Sequence, residues 1–166
     1  NEERMADIRL CFVGDSFTHG TGDDACLGWP GRVGAAARSR GHDLTIYNLG
    51  VRRETTADIR ARWQQEVAAR LAPDVDGRVV FSFGANDATF EDGRPRVNSD
   101  ASADNARAIV AGALQASYRV LVVGPPPAPE PERTVRHADL AARYATVCAD
   151  LGVPFLNVLE PLMHAQ

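Results

Sequence analysis

Residues 8–20, IRLCFVGDSFTHG, decide the fold of this chain. The apolar run at their start predicts a buried β-strand that ends at Gly14, and Asp15 and Ser16 follow at once. In an open parallel sheet, ligands bind beyond the carboxyl ends of the strands. Ser16 is therefore placed where such a sheet has its chemistry. A second interpretation stays open, because serine and aspartate after a strand also cap the start of a helix.

Short apolar runs alternate with longer amphipathic segments along the rest of the chain. The pattern predicts further strands over 44–49, 78–83, 119–123 and 154–158, and helices over 29–41, 55–71, 101–117 and 134–151. Near-continuous apolar strands indicate burial on both faces of a parallel sheet. We predict an α/β protein with three α/β/α layers around a flavodoxin-like five-stranded parallel sheet of order 2-1-3-4-5. That order places the topological switch point beside the first strand.

The composition fits one globular domain. The 166 residues are 45% hydrophobic, which is enough for a substantial core, so we treat residues 1–166 as a single domain. A net charge of −4 gives no indication of nucleic-acid binding. No segment approaches the roughly 20 apolar residues of a membrane span.

Cysteine usage and the N-terminus bear on the cellular compartment. The three cysteines, Cys11, Cys26 and Cys148, form no CxxC pair or His/Cys cluster, which argues against a disulfide framework and a zinc site. This pattern favours a reduced, cytoplasmic setting. Residues 1–7 contain no apolar core of a signal peptide, although a removed signal peptide would leave no trace in this sequence.

Polar or glycine residues follow three of the predicted strands. If these strands are parallel, Ser16, Gly50 and Asn86 lie at the same edge of the sheet. Acyl transfer needs such groups, because a serine oxygen attacks a carbonyl and the resulting oxyanion needs preorganised donors about 3 Å away. The amide of Ser16, the amide of Gly50 and the carboxamide of Asn86 are suitable donors. Without the other two strand ends, an Asx-turn is the preferred interpretation of Asn86 and Asp87.

The same residues resemble a known family. Residues 14–20 (GDSFTHG), 48–50 (NLG) and 84–87 (GAND) are similar, in order and spacing, to the first three sequence blocks of the SGNH hydrolases, also called GDSL-type esterases and lipases. The resemblance implies hydrolysis of a small-molecule ester or thioester without a cofactor. It implies Ser16 as nucleophile and oxyanion donor, with Gly50 and Asn86 as the other donors. Acyl transfer to another alcohol would use the same residues.

One block of the family is absent. The fourth block, an Asp-x-x-His that provides the general base and its partner, does not occur in this sequence. We expect the sequence to lack a C-terminal loop and helix that would contain it. Of the four histidines, His19 is a candidate base because it is three residues from Ser16, whereas His42, His137 and His164 are predicted to be solvated. A non-catalytic binding protein of the same fold is therefore the alternative function.

The predicted loops at the strand ends give a weak indication of substrate. Residues 20–28, 90–100 and 125–132 contain no apolar stripe, and Phe90 is the apolar side chain that stands out in the middle loop. This favours small or polar acyl groups and leaves both the acyl and the alcohol specificity open.

Overall fold

A parallel sheet of five strands forms the centre of the protein, which a computed structural model describes over residues 7–165. The described residues form seven strands, of which five belong to this sheet and two to a separate hairpin. They are β1 (Ile8–Gly14), β2 (Leu44–Gly50), β3 (Asp76–Ser82), β4 (Phe90–Glu91), β5 (Arg94–Pro95), β6 (Arg119–Val123) and β7 (Phe155–Leu156). The central sheet has the order β2-β1-β3-β6-β7 with every pair parallel. The predicted order of the five main strands is confirmed. The short strands β4 and β5 pair as an antiparallel hairpin within the loop that follows β3.

Helices pack on both faces of the sheet, as predicted. They are α1 (Ser16–His19), α2 (Gly28–Ser39), α3 (Thr56–Ala68), α4 (Ser99–Gln115), α5 (Pro131–Leu151) and α6 (Leu159–Met163). On one face, Trp63 of α3 meets Phe81 of β3 edge-on at 5.5 Å between ring centroids. On the other face, Trp29 of α2 packs edge-on against Phe12 of β1 at 5.2 Å.

The main core lies between the sheet and α3, α4 and α5. Alternate residues of β1 and β3 point into it, including the fully buried Cys11, Val13, Val79 and Phe81. Cys148 of α5 is buried in the same core. A strand whose alternate residues meet apolar helices is held in one register, because a shift by one residue would turn these side chains away from the core.

The opposite face of the sheet is less completely covered. It has an apolar groove of about 700 Å³, whose lining includes Leu10, Phe12, Val80, Leu121, Val123 and Leu156. The groove extends to Phe17, the residue after Ser16. The two helical layers of the described chain therefore differ, with three long helices on one face and α2 with the short α6 on the other.

No helix within residues 7–165 has both the length and the apolar character needed to cross a membrane. The N-terminal segment that was predicted not to be a signal peptide lies, up to residue 6, outside the described residues.

Candidate active site

The end of β1 leads directly into the first helical turn. Asp15 caps α1, because its carboxylate accepts a hydrogen bond from the Phe17 amide at 3.0 Å. Ser16 is the first residue of this helix and is half-buried. The amide of a first helical residue has no partner within the helix. Ser16 therefore presents a hydroxyl and an available N–H at the carboxyl edge of the sheet, and the capping interpretation applies to Asp15.

The end of β2 lies tightly against the same turn. Gly50 pairs with Gly14 in the sheet, and a Cβ at position 50 would lie 2.3 Å from the His19 nitrogen and 2.8 Å from the Asp15 carbonyl oxygen. Only glycine fits so close to another backbone segment. The structure thus brings Gly50 next to the turn that contains Ser16.

Asn48 joins these two segments and also engages the Gly50 amide. Its side-chain oxygen accepts a hydrogen bond from the Gly50 N–H at 3.0 Å, and its Nδ2 donates to the Thr18 carbonyl oxygen at 3.0 Å. A substrate oxygen that used the Gly50 amide would share that donor with Asn48 or displace it. In the NLG block, the family resemblance implies a role for Gly50 and none for Asn48.

Asn86 lies at the same edge, in the loop that follows β3. Its Nδ2 donates to the backbone oxygen of Glu54 at 2.9 Å. Glu54 lies in the loop after β2, so this loop anchors the carboxamide. A carboxamide nitrogen has two N–H groups, and the second has no partner among residues 7–165. The group can therefore donate to a ligand while it remains anchored.

Asp87 connects the loop to two helices. Its carboxylate is fully buried and accepts hydrogen bonds from the Thr56 amide at 2.8 Å, the Thr56 hydroxyl at 2.6 Å and the Ser102 hydroxyl at 2.6 Å. The side chains of Asn86 and Asp87 both bond to distant segments rather than to their own loop. These contacts replace the Asx-turn that the sequence alone permitted.

Two buried carboxyl groups lie beneath the candidate site. Burial raises the pKa of Asp15 to about 6, and the charge of Asp87 adds to this rise while the Phe17 amide opposes it. Burial also raises the pKa of Asp87, against the hydrogen bonds from Ser102 and Thr56. Two carboxyl groups with raised pKa values therefore lie on the buried side of the candidate site.

No histidine within residues 7–165 forms a hydrogen bond with the Ser16 hydroxyl. His19, the candidate base, ends α1 with an exposed side chain. His42 and His164 are exposed, as predicted.

The prediction of a solvated His137 is wrong. The side chain is fully buried in α5, and its Nδ1 lies 2.6 Å from the Pro126 carbonyl oxygen, to which it donates. Burial lowers its pKa, with a further lowering from the charge of Arg133. The sequence did contain the signal, because His137 precedes the buried Leu140 and Tyr144 by three and seven residues, which places it on the inner stripe of the helix.

A partly buried ion pair that was not predicted lies below the three strand ends. Arg62 of α3 donates from Nε to a carboxylate oxygen of Glu54 at 2.5 Å. Its Nη2 donates to the backbone oxygens of Gly14 at 3.2 Å and Leu49 at 3.0 Å. Its Nη1 also lies 3.4 Å from a Glu66 carboxylate oxygen one turn along the same helix. This local pair is visible in the sequence, but the contacts with Glu54, Gly14 and Leu49 are not, because they come from outside the helix. As for metals, no cluster of three or more His, Cys, Asp or Glu side chains in the described part of the chain could hold an ion.

Comparison with known families agrees with this arrangement. A family model described as GDSL-like Lipase/Acylhydrolase matches residues 12–166. The chain belongs to the GDSL-like lipase/acylhydrolase family. The resemblance noted from the three sequence blocks is thereby confirmed. No protein with curated annotation matches the chain significantly.

Solved structures show the same GDSL-like fold. AlinE4, an esterase of the SGNH-hydrolase family, superposes with a TM-score of 0.78 at 21% identity, over 96% of this chain and 80% of that chain. A catalytic mutant of Axe2, an acetylxylan esterase from Geobacillus stearothermophilus, gives a TM-score of 0.76 at 18% identity, over 93% and 77%. Catalytic mutants of Axe2 replace an aspartate, a serine and a histidine in that enzyme.

Proposed function

We propose that this protein is a serine hydrolase that cleaves a carboxylic ester or thioester through an acyl-enzyme on Ser16. The Ser16 oxygen bonds to the substrate carbonyl carbon, the hydroxyl proton passes to a base, and the alcohol or thiol leaves with a proton. Water then cleaves the acyl-serine and releases the acid. The amides of Ser16 and Gly50 and the carboxamide of Asn86 stabilise the oxyanion in both steps.

The close packing of Gly50 on the turn of Ser16 is the observation that best supports this proposal. A glycine whose backbone packs against the turn that begins with a serine is suited to offer its amide to the oxygen of a carbonyl that the serine attacks. The anchored Asn86 adds a third donor at the same edge of the sheet. Membership of an acylhydrolase family points to the same chemistry.

Hydrolysis of p-nitrophenyl acetate tests the proposal. The full-length protein should release p-nitrophenol, and Ser16→Ala should reduce the rate to that of the uncatalysed reaction. Ser39→Ala is a matched control, because this exposed serine ends α2 and bonds only to its own helix. Equal rates for wild type and Ser16→Ala would end the proposal.

A non-catalytic binding protein is the second candidate, and the histidines favour it. Within residues 7–165 no histidine bonds to the Ser16 hydroxyl, and a serine without an activating base is a weak nucleophile. A fluorophosphonate probe distinguishes the two candidates. Rapid labelling of the full-length protein that is lost in Ser16→Ala indicates an activated nucleophile, whereas very slow labelling of both indicates a binding role.

For the substrate, we propose a small or polar acyl group. Phe90, the apolar side chain of the loop after β3, is engaged within the protein, because the Arg136 guanidinium lies 4.5 Å from its ring centroid. It is therefore already used in a cation–π contact. A series of p-nitrophenyl esters from acetate to octanoate should show the highest kcat/KM for acetate.

Product analysis with a competing alcohol acceptor would separate hydrolysis from acyl transfer.

A further inference from the structure

The Arg62 guanidinium forms one hydrogen-bonded unit with parts of the chain that support two of the three proposed oxyanion donors, the Gly50 amide and the Asn86 carboxamide. Its side chain is only 16% exposed; of its two ion-pair partners, Glu54 is 17% exposed and Glu66, on the same helix, is 37% exposed. The two backbone oxygens that it contacts end neighbouring strands, at Gly14 on β1 and Leu49 on β2. Since Gly14 also accepts a hydrogen bond from the Val51 amide at 3.0 Å, the ends of β1 and β2 are joined from two sides.

The bond from Arg62 to Leu49 acts on the Gly50 amide. The Leu49 carbonyl and the Gly50 N–H belong to the same peptide group, whose atoms are coplanar and share electrons. A cation that donates to the carbonyl draws electron density toward the oxygen and strengthens the N–H as a donor, as in other chains of hydrogen bonds. The bond also fixes the plane in which that N–H points.

The bond from Arg62 to Glu54 acts on Asn86. The Glu54 carboxylate accepts from Arg62, and the Glu54 backbone oxygen accepts from the Asn86 carboxamide at 2.9 Å. Glu54 precedes α3, so the ion pair ties the loop after β2 to the helix below it. The orientation of the Asn86 side chain thus depends on a loop that Arg62 holds.

We propose that Arg62 is a positioning residue for the oxyanion site, which aligns and polarises the Gly50 amide and, through Glu54, holds the Asn86 carboxamide. This inference rests on the proposed serine-hydrolase function. Arginine is suited to the role because its planar fork can reach two carbonyl oxygens and a carboxylate at once. A lysine would keep the charge but not this fixed set of directions.

The test compares Arg62→Met with Arg60→Met, an exposed arginine on the same helix that bonds to the Asn105 side chain at 3.1 Å. With p-nitrophenyl acetate and the full-length protein, we expect Arg62→Met to lower kcat by about 10- to 100-fold, because donors to the oxyanion become misaligned. KM should change by less than about 2-fold, as for an interaction made in the transition state. Arg60→Met should leave both constants unchanged.

Two further readouts exclude a merely structural effect. Active sites are counted by fluorophosphonate titration, so that kcat refers to folded and reactive protein only. The inhibition constant of phenylboronic acid, which forms a tetrahedral adduct with a serine, should rise by the same factor by which kcat/KM falls. Arg62→Lys, which retains the charge, should recover part of kcat and provides the measurement if Arg62→Met does not fold.

The outcomes separate this inference from the proposed function. An active wild type, an inactive Ser16→Ala and a folded Arg62→Met with unchanged kcat and boronate affinity would overturn the inference alone. If Arg62→Met does not fold, wild-type values of kcat and boronate affinity in Arg62→Lys overturn it equally. Equal hydrolysis by wild type and Ser16→Ala would overturn the proposed function, and the role of Arg62 with it.

Discussion

Gly50 approaches His19 so closely that the chain tolerates no side chain at position 50. Gly50→Ala should lower the free energy of unfolding by about 1–3 kcal/mol. The new methyl group would overlap backbone atoms, which cannot move away by rotating as a side chain can. Urea denaturation measures this loss, and the kcat for p-nitrophenyl acetate should fall with it. Gly31→Ala in α2 is the control, since the atoms nearest to its new Cβ would belong to the Leu27 side chain and not to the backbone of another segment. A Gly50→Ala variant as stable as wild type would contradict this packing.

Asp15 should make the protein less stable as pH rises. Its folded pKa of about 6 lies above its ordinary 3.8, so the native state retains a proton that the unfolded state loses between these values. The contribution of Asp15 to the free energy of unfolding is fully present below about pH 3.8, and it is lost as pH rises through about 6. Asp15→Asn keeps the capping oxygen and should gain up to about 3 kcal/mol over wild type across this interval. Urea denaturation at pH 4 and pH 7 measures the difference.

Asp23 provides a control of opposite sign for the Asp15 experiment. The Arg32 guanidinium, which pairs with this carboxylate, holds the pKa of Asp23 well below its usual range. Replacement by asparagine should therefore cost stability above pH 4 instead of adding it. If both variants shifted stability in the same direction, the assignment of the Asp15 pKa to burial would be wrong.

His137 should make the protein less stable in acid. Because burial lowers its pKa, the unfolded state takes up a proton below the ordinary value of 6.5 while the native state does not. Its contribution is present above pH 6.5 and decreases by up to about 1.4 kcal/mol per pH unit below it, until the folded pKa is reached. His137→Asn, which retains a donor for the Pro126 oxygen, should lose this slope. Denaturation between pH 5 and pH 8 tests it, with the exposed His42→Asn as matched control.

The buried carboxylate of Asp87 should be the most sensitive position of the loop after β3. Asp87→Asn places an N–H₂ group among three hydrogen-bond donors, and we expect a loss of about 2–4 kcal/mol in the free energy of unfolding. Tyr144→Phe removes only the hydroxyl that lies 2.5 Å from Ser102 and should cost about 1 kcal/mol. Comparable losses for the two variants would show that Asp87 is not the centre of this network.

The sequence predicted the layers of the fold because its apolar runs are long and regular. β1 and β3 are strongly apolar, and α3 repeats Ile59, Trp63 and Val67 at helical spacing. Ser16, Gly50 and Asn86 could be proposed from the sequence because each lies at or just after the end of a predicted strand, where a parallel sheet brings such residues to one edge. These features depend on neighbouring residues, which a sequence shows directly.

The support of the site was not predictable because it consists of distant contacts. Arg62 reaches Gly14 across 48 positions, and Asn86 reaches Glu54 across 32. A sequence does not show which arginine turns inward when so many lie on helices. The buried His137 was missed for a different reason, since its charged neighbours suggested an exposed surface although its helical spacing indicated burial.

The unequal lengths of the strands have a consequence for local unfolding. β1, β2 and β3 each have seven residues, whereas β7 has two and pairs only with β6. Amide hydrogens of β7 should exchange with solvent first, and those in the middle of β1 last. Fraying at the β7 edge would leave β1, β2 and β3 in register, so the edge proposed to contain Ser16, Gly50 and Asn86 as site residues belongs to the part of the sheet that opens least often.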